Sequence, residues 1–329
     1  AGTGTAWGRA AVTPDDVLEA NERIAGRVRV TPVMPLRGTN LLIKCEHLQL
    51  TGSFKLRGAT NALLAGPPLP VVTGSSGNHG KALVWAARAA GLPQPTVVMT
   101  SDSSREKQAV VRVLGGRVVI SGPGTEMRAE LAHRIARDEQ RTYISSYDDP
   151  LVIAGQGTVG LELAQQCPDA TTVVVPLGGG GLLAGVALAL RRWAPRVRII
   201  GVEPRDADDT IRSLAGGRRV TIDVPTTICD GARAQSPGEL TFPIVRALVD
   251  EVVAVSDDDV RDAMRLLAAD GHRVEPTGAL AVAGARALGG GVVAIVSGGN
   301  ISIASFAELV RTDAAGAAGG LLVAAGARR

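Results

Sequence analysis

The chain is 329 residues long, enough for two domains or one large one. With 45% hydrophobic, 20% charged and only 2% aromatic residues, it can bury a sizeable core made mainly of Val, Leu, Ile and Ala. A net charge of +3 from scattered basic residues, with no basic stripe and few aromatics for stacking, argues against a nucleic-acid partner.

In chain order, Thr13-Pro14-Asp15-Asp16 opens a helix: a hydroxyl N-cap, proline at the first helical position and acids in the first turn. Val17, Ile24 and Val28 supply its apolar face. Leu41-Leu42-Ile43 is a strand-like run. Val71-Val72, Thr96 to Met99, Arg117 to Ile120, Thr171 to Val175, Val197 to Val202 and Gly291 to Val296 read as further strands. Most are continuous apolar runs, the pattern of strands buried on both faces of a parallel sheet. Helical patterns at Lys81 to Ala90, Arg105 to Leu114 and Thr125 to Gln140 alternate with them, which gives an α/β fold with helices on both sides. The Ala- and Gly-rich stretch from Thr312 to Arg329 reads as a weakly docked end.

Cys45, Cys167 and Cys229 are odd in number, widely spaced and without a CxxC pair, which fits a reducing compartment better than disulfides or zinc. No stretch reaches the roughly 18–20 apolar residues that span a bilayer. No basic region followed by an apolar stretch marks a signal peptide. The expectation is a cytoplasmic protein with no membrane partner.

Lysine is scarce: of 35 basic residues only those at 44, 55, 81 and 107 are lysine. Lys55 stands in Thr51-Gly52-Ser53-Phe54-Lys55-Leu56-Arg57-Gly58-Ala59, between a hydroxyl-rich turn and a glycine. A lysine held against packed backbone has its ammonium pKa lowered by desolvation, which suits Schiff-base chemistry. A surface lysine at a strand-to-helix junction would look the same from this segment alone.

Three glycine-rich turns shift that balance. Val71 to Gly80 sets Gly74-Ser75-Ser76-Gly77-Asn78-His79-Gly80 between a strand and a helix. Free N–H groups at the helix start, with Ser75, Ser76, Asn78 and His79, can hold an anion. Gly178-Gly179-Gly180-Gly181-Leu182 follows the strand run Thr172 to Val175. Four glycines cost conformational entropy that a phosphate nest would justify. It is neither a GxGxxG fingerprint nor a P-loop, so nicotinamide and nucleoside triphosphate readings are weak. Ser297-Gly298-Gly299-Asn300 ends a third strand, at the end where α/β sheets bind ligands.

Together these residues resemble fold-type II pyridoxal-phosphate enzymes, of the threonine/serine dehydratase and serine racemase group, from about Thr13 to Ile303. The resemblance implies a tryptophan synthase β-like architecture of two open, twisted, mostly parallel sheets flanked by helices. Residues 1–45 and 151–329 would form the large cofactor-binding domain and 46–150 the small one that closes on substrate; 46–70 could equally join the large one. It implies a homodimer acting on a small amino acid.

The resemblance also implies roles. Lys55, after Lys44-Cys45-Glu46-His47-Leu48-Gln49, matches the Schiff-base lysine and, once freed by the incoming amino acid, would take the Cα proton. The Ser75 to Gly80 loop, with Ser75, Ser76, Asn78 and His79, would grip the substrate carboxylate, and Asn78 would also touch the ring hydroxyl. Gly178 to Gly181 and Leu182 would hold the phosphate, Ser297 would face the ring nitrogen, and Phe54 and Glu275 would flank the ring. Ser76 matches the second acid/base of racemases. Glu203, Asp209 and the Ala207 carbonyl resemble a divalent-cation segment with hard oxygen ligands for Mg²⁺ or Ca²⁺, although an acidic solvated loop has the same spacing. Asp230-Gly231 and Ser236 to Phe242 lean towards the dehydratases.

Two segments depart from the pattern. Ser145-Ser146-Tyr147 stands where dehydratases carry His-Pro-Phe, and residues 101–107 lack the usual prolines. The expected activity is dehydration of L-threonine or L-serine to a 2-oxo acid and ammonia. The alternatives are racemisation, a pyridoxal-phosphate binder with little turnover, and, remotely, a nicotinamide-linked oxidoreductase.

Overall fold

A computed structural model of the protein describes residues 11–75 and 77–311. Helix α1 (Pro14–Ile24) starts as its sequence dictates: Thr13 caps it, and Thr13 and Asp16 exchange hydrogen bonds in a capping box (Asp16 N to Thr13 Oγ1, 3.3 Å; Thr13 N to Asp16 Oδ2, 2.9 Å). It buries Val17, Ala20 and Ile24 and then ends, so Val28 lies beyond it. Gly26 turns the chain at φ +72°, and Val28 packs from the following segment against a different cluster.

Two sheets organise the rest. The larger has the order β1-β2-β10-β7-β8-β9, formed by β1 (Val33–Pro35), β2 (Leu41–Lys44), β7 (Thr172–Pro176), β8 (Arg198–Pro204), β9 (Glu251–Val255) and β10 (Val292–Ile295). Only β1 runs antiparallel to its neighbour. The smaller is wholly parallel in the order β5-β4-β3-β6, from β3 (Val71–Gly74), β4 (Thr96–Thr100), β5 (Arg117–Ser121) and β6 (Thr142–Tyr143). The central strands β3, β4, β7 and β10 are buried throughout, as their apolar runs demand. β5 departs from that expectation: it is an edge strand with Arg117 and Ile120 exposed.

The helices that carry the site are α2 (Lys55–Leu64), α3 (Asn78–Ala89), α4 (Arg105–Val113), α5 (Thr125–Asp138), α6 (Pro150–Gln166), α7 (Gly181–Trp193), α8 (Asp209–Gly216), α9 (Thr241–Leu248), α10 (Asp257–Ala269), α11 (Pro276–Ala285) and α12 (Ile303–Val310). α6 is buried along almost its whole length and packs on both α2 and α7. Small residues allow this: a Cβ on Gly155 would lie 2.6 Å from Gly58 Cα. Where α2, α6 and β2 meet, a buried ion cluster replaces apolar packing. Arg57 binds Glu46 (Nε–Oε2 2.8 Å) and Glu162 (NH1–Oε1 2.6 Å), and Lys44 binds Glu162 (2.5 Å). Such a cluster tolerates burial only because every charge has a partner. It fixes the start of α2, and Lys55 is the first residue of that helix.

Candidate active site

The Lys55 segment is tied to the end of β10. Phe54 N donates to Ser297 O (3.1 Å), and Ser53 bridges to Gly298. Gly298 O also accepts from Glu275 N (3.2 Å), so one turn holds Lys55, Ser297 and Glu275 together. Lys55 Nζ donates to Ser146 O (2.7 Å) and lies 5.0 Å from the Phe54 ring centre. Burial pulls its pKa down to about 8, opposed by the nearby Glu275 carboxylate. The lowered pKa foreseen for this lysine is present.

Helix α3 begins three residues earlier than its sequence pattern indicated, so Asn78 and His79 lie in its first turn. Asn78 Nδ2 donates to Glu275 Oε1 (2.5 Å). Glu275 is held up at about 7, chiefly by burial and then by Asp230, while the Asn78 hydrogen bond, Lys107 and Lys81 pull it down. His79 is buried with both ring nitrogens lacking a hydrogen-bond partner. Burial and the Lys55 charge press its pKa to about 3, so the ring is neutral. A neutral imidazole in that state is ready for a ligand group. Ser75 Oγ accepts from Gly80 N (3.1 Å) and Gly77 N (3.4 Å), shaping the turn. Ser76 lies outside the described residues.

The tetraglycine loop joins β7 to α7. Gly180 is the N-cap at φ +95°, a left-handed conformation that favours glycine, and the helix start has no side-chain cap. Gly179 O is held from behind by Thr241 Oγ1 (2.7 Å) and Gly238 N (3.3 Å). In a trans peptide the Gly180 N–H then points the opposite way, as an anion nest requires. A Cβ on Gly179 would collide with the Tyr147 ring, and one on Gly181 would lie 2.8 Å from Tyr147 O. Leu182 is buried behind the loop, and Gly178 is backed by Gly231 and Ala232.

The segment that departs from the dehydratase pattern has a mechanical reason for its residues. Ser145 Oγ accepts from Asp148 N (3.1 Å), and Ser146 O meets Lys55. Tyr147 closes the glycine loop, and Asp148 Oδ1 accepts from Leu240 N (2.9 Å). Asp149 caps α6 through Leu151 N (2.9 Å) and Val152 N (3.0 Å). Ser297 is 2% exposed, and its Oγ donates to Thr277 O (3.3 Å), a neutral partner for a ring nitrogen.

The residues present fit pyridoxal phosphate. An uncapped glycine helix start suits its phosphate, a desolvated lysine its aldehyde, a neutral serine its ring nitrogen, and an unpartnered buried imidazole lies beside them.

The cation segment is a separate place in the fold. Glu203 ends its run in β8, accepting from Thr210 N (3.0 Å) and Ile211 N (3.0 Å). Both oxygens of buried Asp209 lack a hydrogen-bond partner, and burial followed by the Glu203 charge raises its pKa to about 8. Ala207 is 1% exposed. Two carboxylates and a carbonyl are hard oxygen donors suited to Mg²⁺ or Ca²⁺. Among the described residues no cluster of three or more His, Cys, Asp or Glu side chains could hold a metal.

Several residues at the site carried no sequence signal strong enough to single them out. Asn300 and Lys81 join Asn78 in one hydrogen-bonded chain. Arg128, in the first turn of α5, lies against Gly74 (3.4 Å from a Cβ there) and in the field of Tyr143, Tyr147 and Asp102. Lys107 pairs with Asp230 between α4 and the turn behind Gly178. The scarcity of lysine was the one available hint for Lys81 and Lys107.

The family profile described as pyridoxal-phosphate dependent enzyme matches residues 24–298. The chain is 42% identical to an L-threo-3-hydroxyaspartate ammonia-lyase from a Pseudomonas species, over 90% of this chain and 98% of that protein. It is 37% identical to an L-threonine ammonia-lyase from Geobacter sulfurreducens, covering 89% of this chain and 77% of that one. The solved structure of maize serine racemase superposes with a TM-score of 0.85 at 37% identity, over 91% of this chain and 96% of that one. The two-sheet architecture is that of fold type II, and the chain belongs to the pyridoxal-phosphate dependent enzyme family.

Proposed function

We propose that this enzyme is an ammonia-lyase that converts a β-hydroxy amino acid to a 2-oxo acid and ammonia. The observation that carries the reading is the desolvated Lys55 amine, tied to Ser297 and Glu275 through one turn and, through Ser146 and Tyr147, to an uncapped glycine loop. When bound, pyridoxal phosphate supplies the electron sink that lets a proton leave Cα. Gly178, Gly179, Gly180, Gly181 and Leu182 would hold its phosphate, Ser297 its ring nitrogen and Asn78 its ring hydroxyl, with Phe54 and Glu275 flanking the ring.

Lys55 Nζ would carry the cofactor and, as neutral amine, remove the Cα proton. Ser75, Ser76, Asn78 and His79 would hold the substrate carboxylate, His79 by donating from its neutral ring. As the Cβ–O bond breaks, the hydroxyl would take up a proton, balancing the one Lys55 removes, and leave as water. The released enamine would then tautomerise and be hydrolysed by one water to the 2-oxo acid and ammonia. Ser297, which carries no charge, would not stabilise a proton on the ring nitrogen, which would disfavour transamination. The smaller sheet, within 46–150, is the part that would close over the substrate. The likeness to the hydroxyaspartate ammonia-lyase favours an anionic side chain on that substrate.

Racemisation is the second reading, favoured by the likeness to serine racemase, with Lys55 and Ser76 acting on opposite faces. Glu203, Asp209 and the Ala207 carbonyl are proposed to hold Mg²⁺ or Ca²⁺.

One panel tests all of this: L-serine, L-threonine and L-threo-3-hydroxyaspartate, with 2-oxo acid and chiral readouts, with and without Mg²⁺. We expect 2-oxo acid from at least one β-hydroxy substrate, and an activating effect of Mg²⁺ that Asp209→Asn abolishes. Ser76→Ala should lose racemisation and keep elimination. A cofactor absorbance band with no product from any substrate would sink the lyase reading. Equal loss of both activities in Ser76→Ala would sink the two-face reading, and a Mg²⁺ effect that survives in Asp209→Asn would remove the cation site.

A further inference from the structure

Lys81 has no part in the site as read from the sequence, yet it begins a hydrogen-bonded chain that ends at Glu275. Its ammonium donates to Asn300 Oδ1 (2.6 Å). Asn300 Nδ2 donates to Asn78 Oδ1 (2.7 Å) and to Thr51 O (2.9 Å). Asn78 Nδ2 donates to Glu275 Oε1 (2.5 Å). Lys81 and Asn78 are three residues apart on α3, hence on one face of it. Asn300, Thr51 and Glu275 come from the other side of the cleft.

The chemistry of the two ends fixes the direction of the middle. A primary amide can turn over, exchanging its donor and acceptor ends, at little cost in shape. An ammonium only donates, so Asn300 must turn its oxygen towards Lys81. The Thr51 carbonyl only accepts, so Asn300 must turn its nitrogen the other way; both constraints agree. Both hydrogens of Asn300 Nδ2 are then used, and Asn78 can meet that nitrogen only with its oxygen. Asn78 Nδ2 therefore faces Glu275 and keeps one further N–H to offer.

We propose that Lys81 is a positioning residue that locks the Asn78 amide so that it presents an N–H, and not its carbonyl, to an oxygen of the bound cofactor. This rests on the reading of Asn78 as a cofactor contact. Without the Lys81 cation, Asn300 loses one of its two constraints and only the Thr51 carbonyl and the Glu275 carboxyl still oppose turnover of the two amides. An Asn78 that turned over would set its oxygen against the group its N–H now attracts. Burial lowers the Lys81 pKa while the Glu275 carboxylate supports its charge, in keeping with a cation held at one end of the chain.

The test measures pyridoxal phosphate affinity and the absorbance maximum of the bound cofactor in the full-length protein and in Lys81→Met, Lys81→Arg and Asn78→Ala. The thermal midpoint of each apo-protein is measured alongside. We expect Lys81→Met to weaken binding about tenfold or more, as for loss of a charged hydrogen bond. It should also shift the absorbance maximum the same way as Asn78→Ala, with the apo midpoint unchanged. Lys81→Arg, still donor-only, should restore most of the affinity. Wild-type affinity and absorbance in Lys81→Met, while Asn78→Ala is impaired, would overturn the role of Lys81 alone. Failure of Lys81→Arg to restore binding, or a matching fall in apo stability in Lys81→Met, would overturn it too. Wild-type behaviour in Asn78→Ala would remove the premise and the proposal together.

Discussion

None of the four lysines is idle, and each shows why the residue type was kept in a chain that otherwise uses arginine. Lys44 is buried on Glu162, Thr31 O and Gln166. Lys81 starts the amide chain, Lys107 pairs with Asp230, and Lys55 is desolvated. An ammonium can release its proton where a guanidinium cannot, and Lys55 is the one placed to do so. Its pKa of about 8 lies below the ordinary 10.5, so the neutral, nucleophilic form grows as pH rises, is half populated near pH 8 and is nearly complete about one unit above it. The rate at which apo-protein captures pyridoxal phosphate, followed by absorbance from pH 6 to 10, should rise with a midpoint near 8 and level off about one unit above it. A rate still climbing tenfold per unit beyond pH 9 would show an ordinary lysine. At this scale the sequence was readable where residues sit in one continuous motif, as at Lys55, Asn78 and Ser297. It was silent on Lys81 and Asn300, 219 positions apart, because pairing at that distance exists only after folding.

Strands and loops were legible because buried parallel strands are mainly apolar and three of them, β3, β7 and β10, run into glycine-rich turns. The misreadings have physical causes. α6 shows no amphipathic period because it is buried on all sides, so helical spacing left no trace. β5 carries an apolar run although one edge faces solvent. β6 is two residues long, too short to announce itself. The contacts between elements were hidden, among them the Lys107–Asp230 pair joining α4 to the turn behind the glycine loop. Both side chains are partly exposed, so the pair adds less than about 1 kcal/mol to stability. It bridges the two sides of the cleft, however. Lys107→Ala should therefore raise KM several-fold while leaving the thermal midpoint unchanged, measured on whichever substrate the panel identifies. An unchanged KM would mean that the pair takes no part in closing the smaller sheet.

Across the whole molecule, two largely parallel sheets deliver their loops to one place. β3 brings the Ser75 to Gly80 turn, β7 the glycines, and β10 the Ser297 turn. Lys55 is held among them by β2, α2 and the buried Arg57 cluster. The central claim is that this convergence makes Lys55, and no other amine, the cofactor's attachment point. With four lysines in the chain, one measurement decides it. Holoprotein is reduced with borohydride, digested and mapped by mass spectrometry. The reduced pyridoxyl group should sit on Lys55, and the Lys55→Ala protein should carry none. A pyridoxyl group on Lys44, Lys81 or Lys107, or one that persists in Lys55→Ala, would contradict the account.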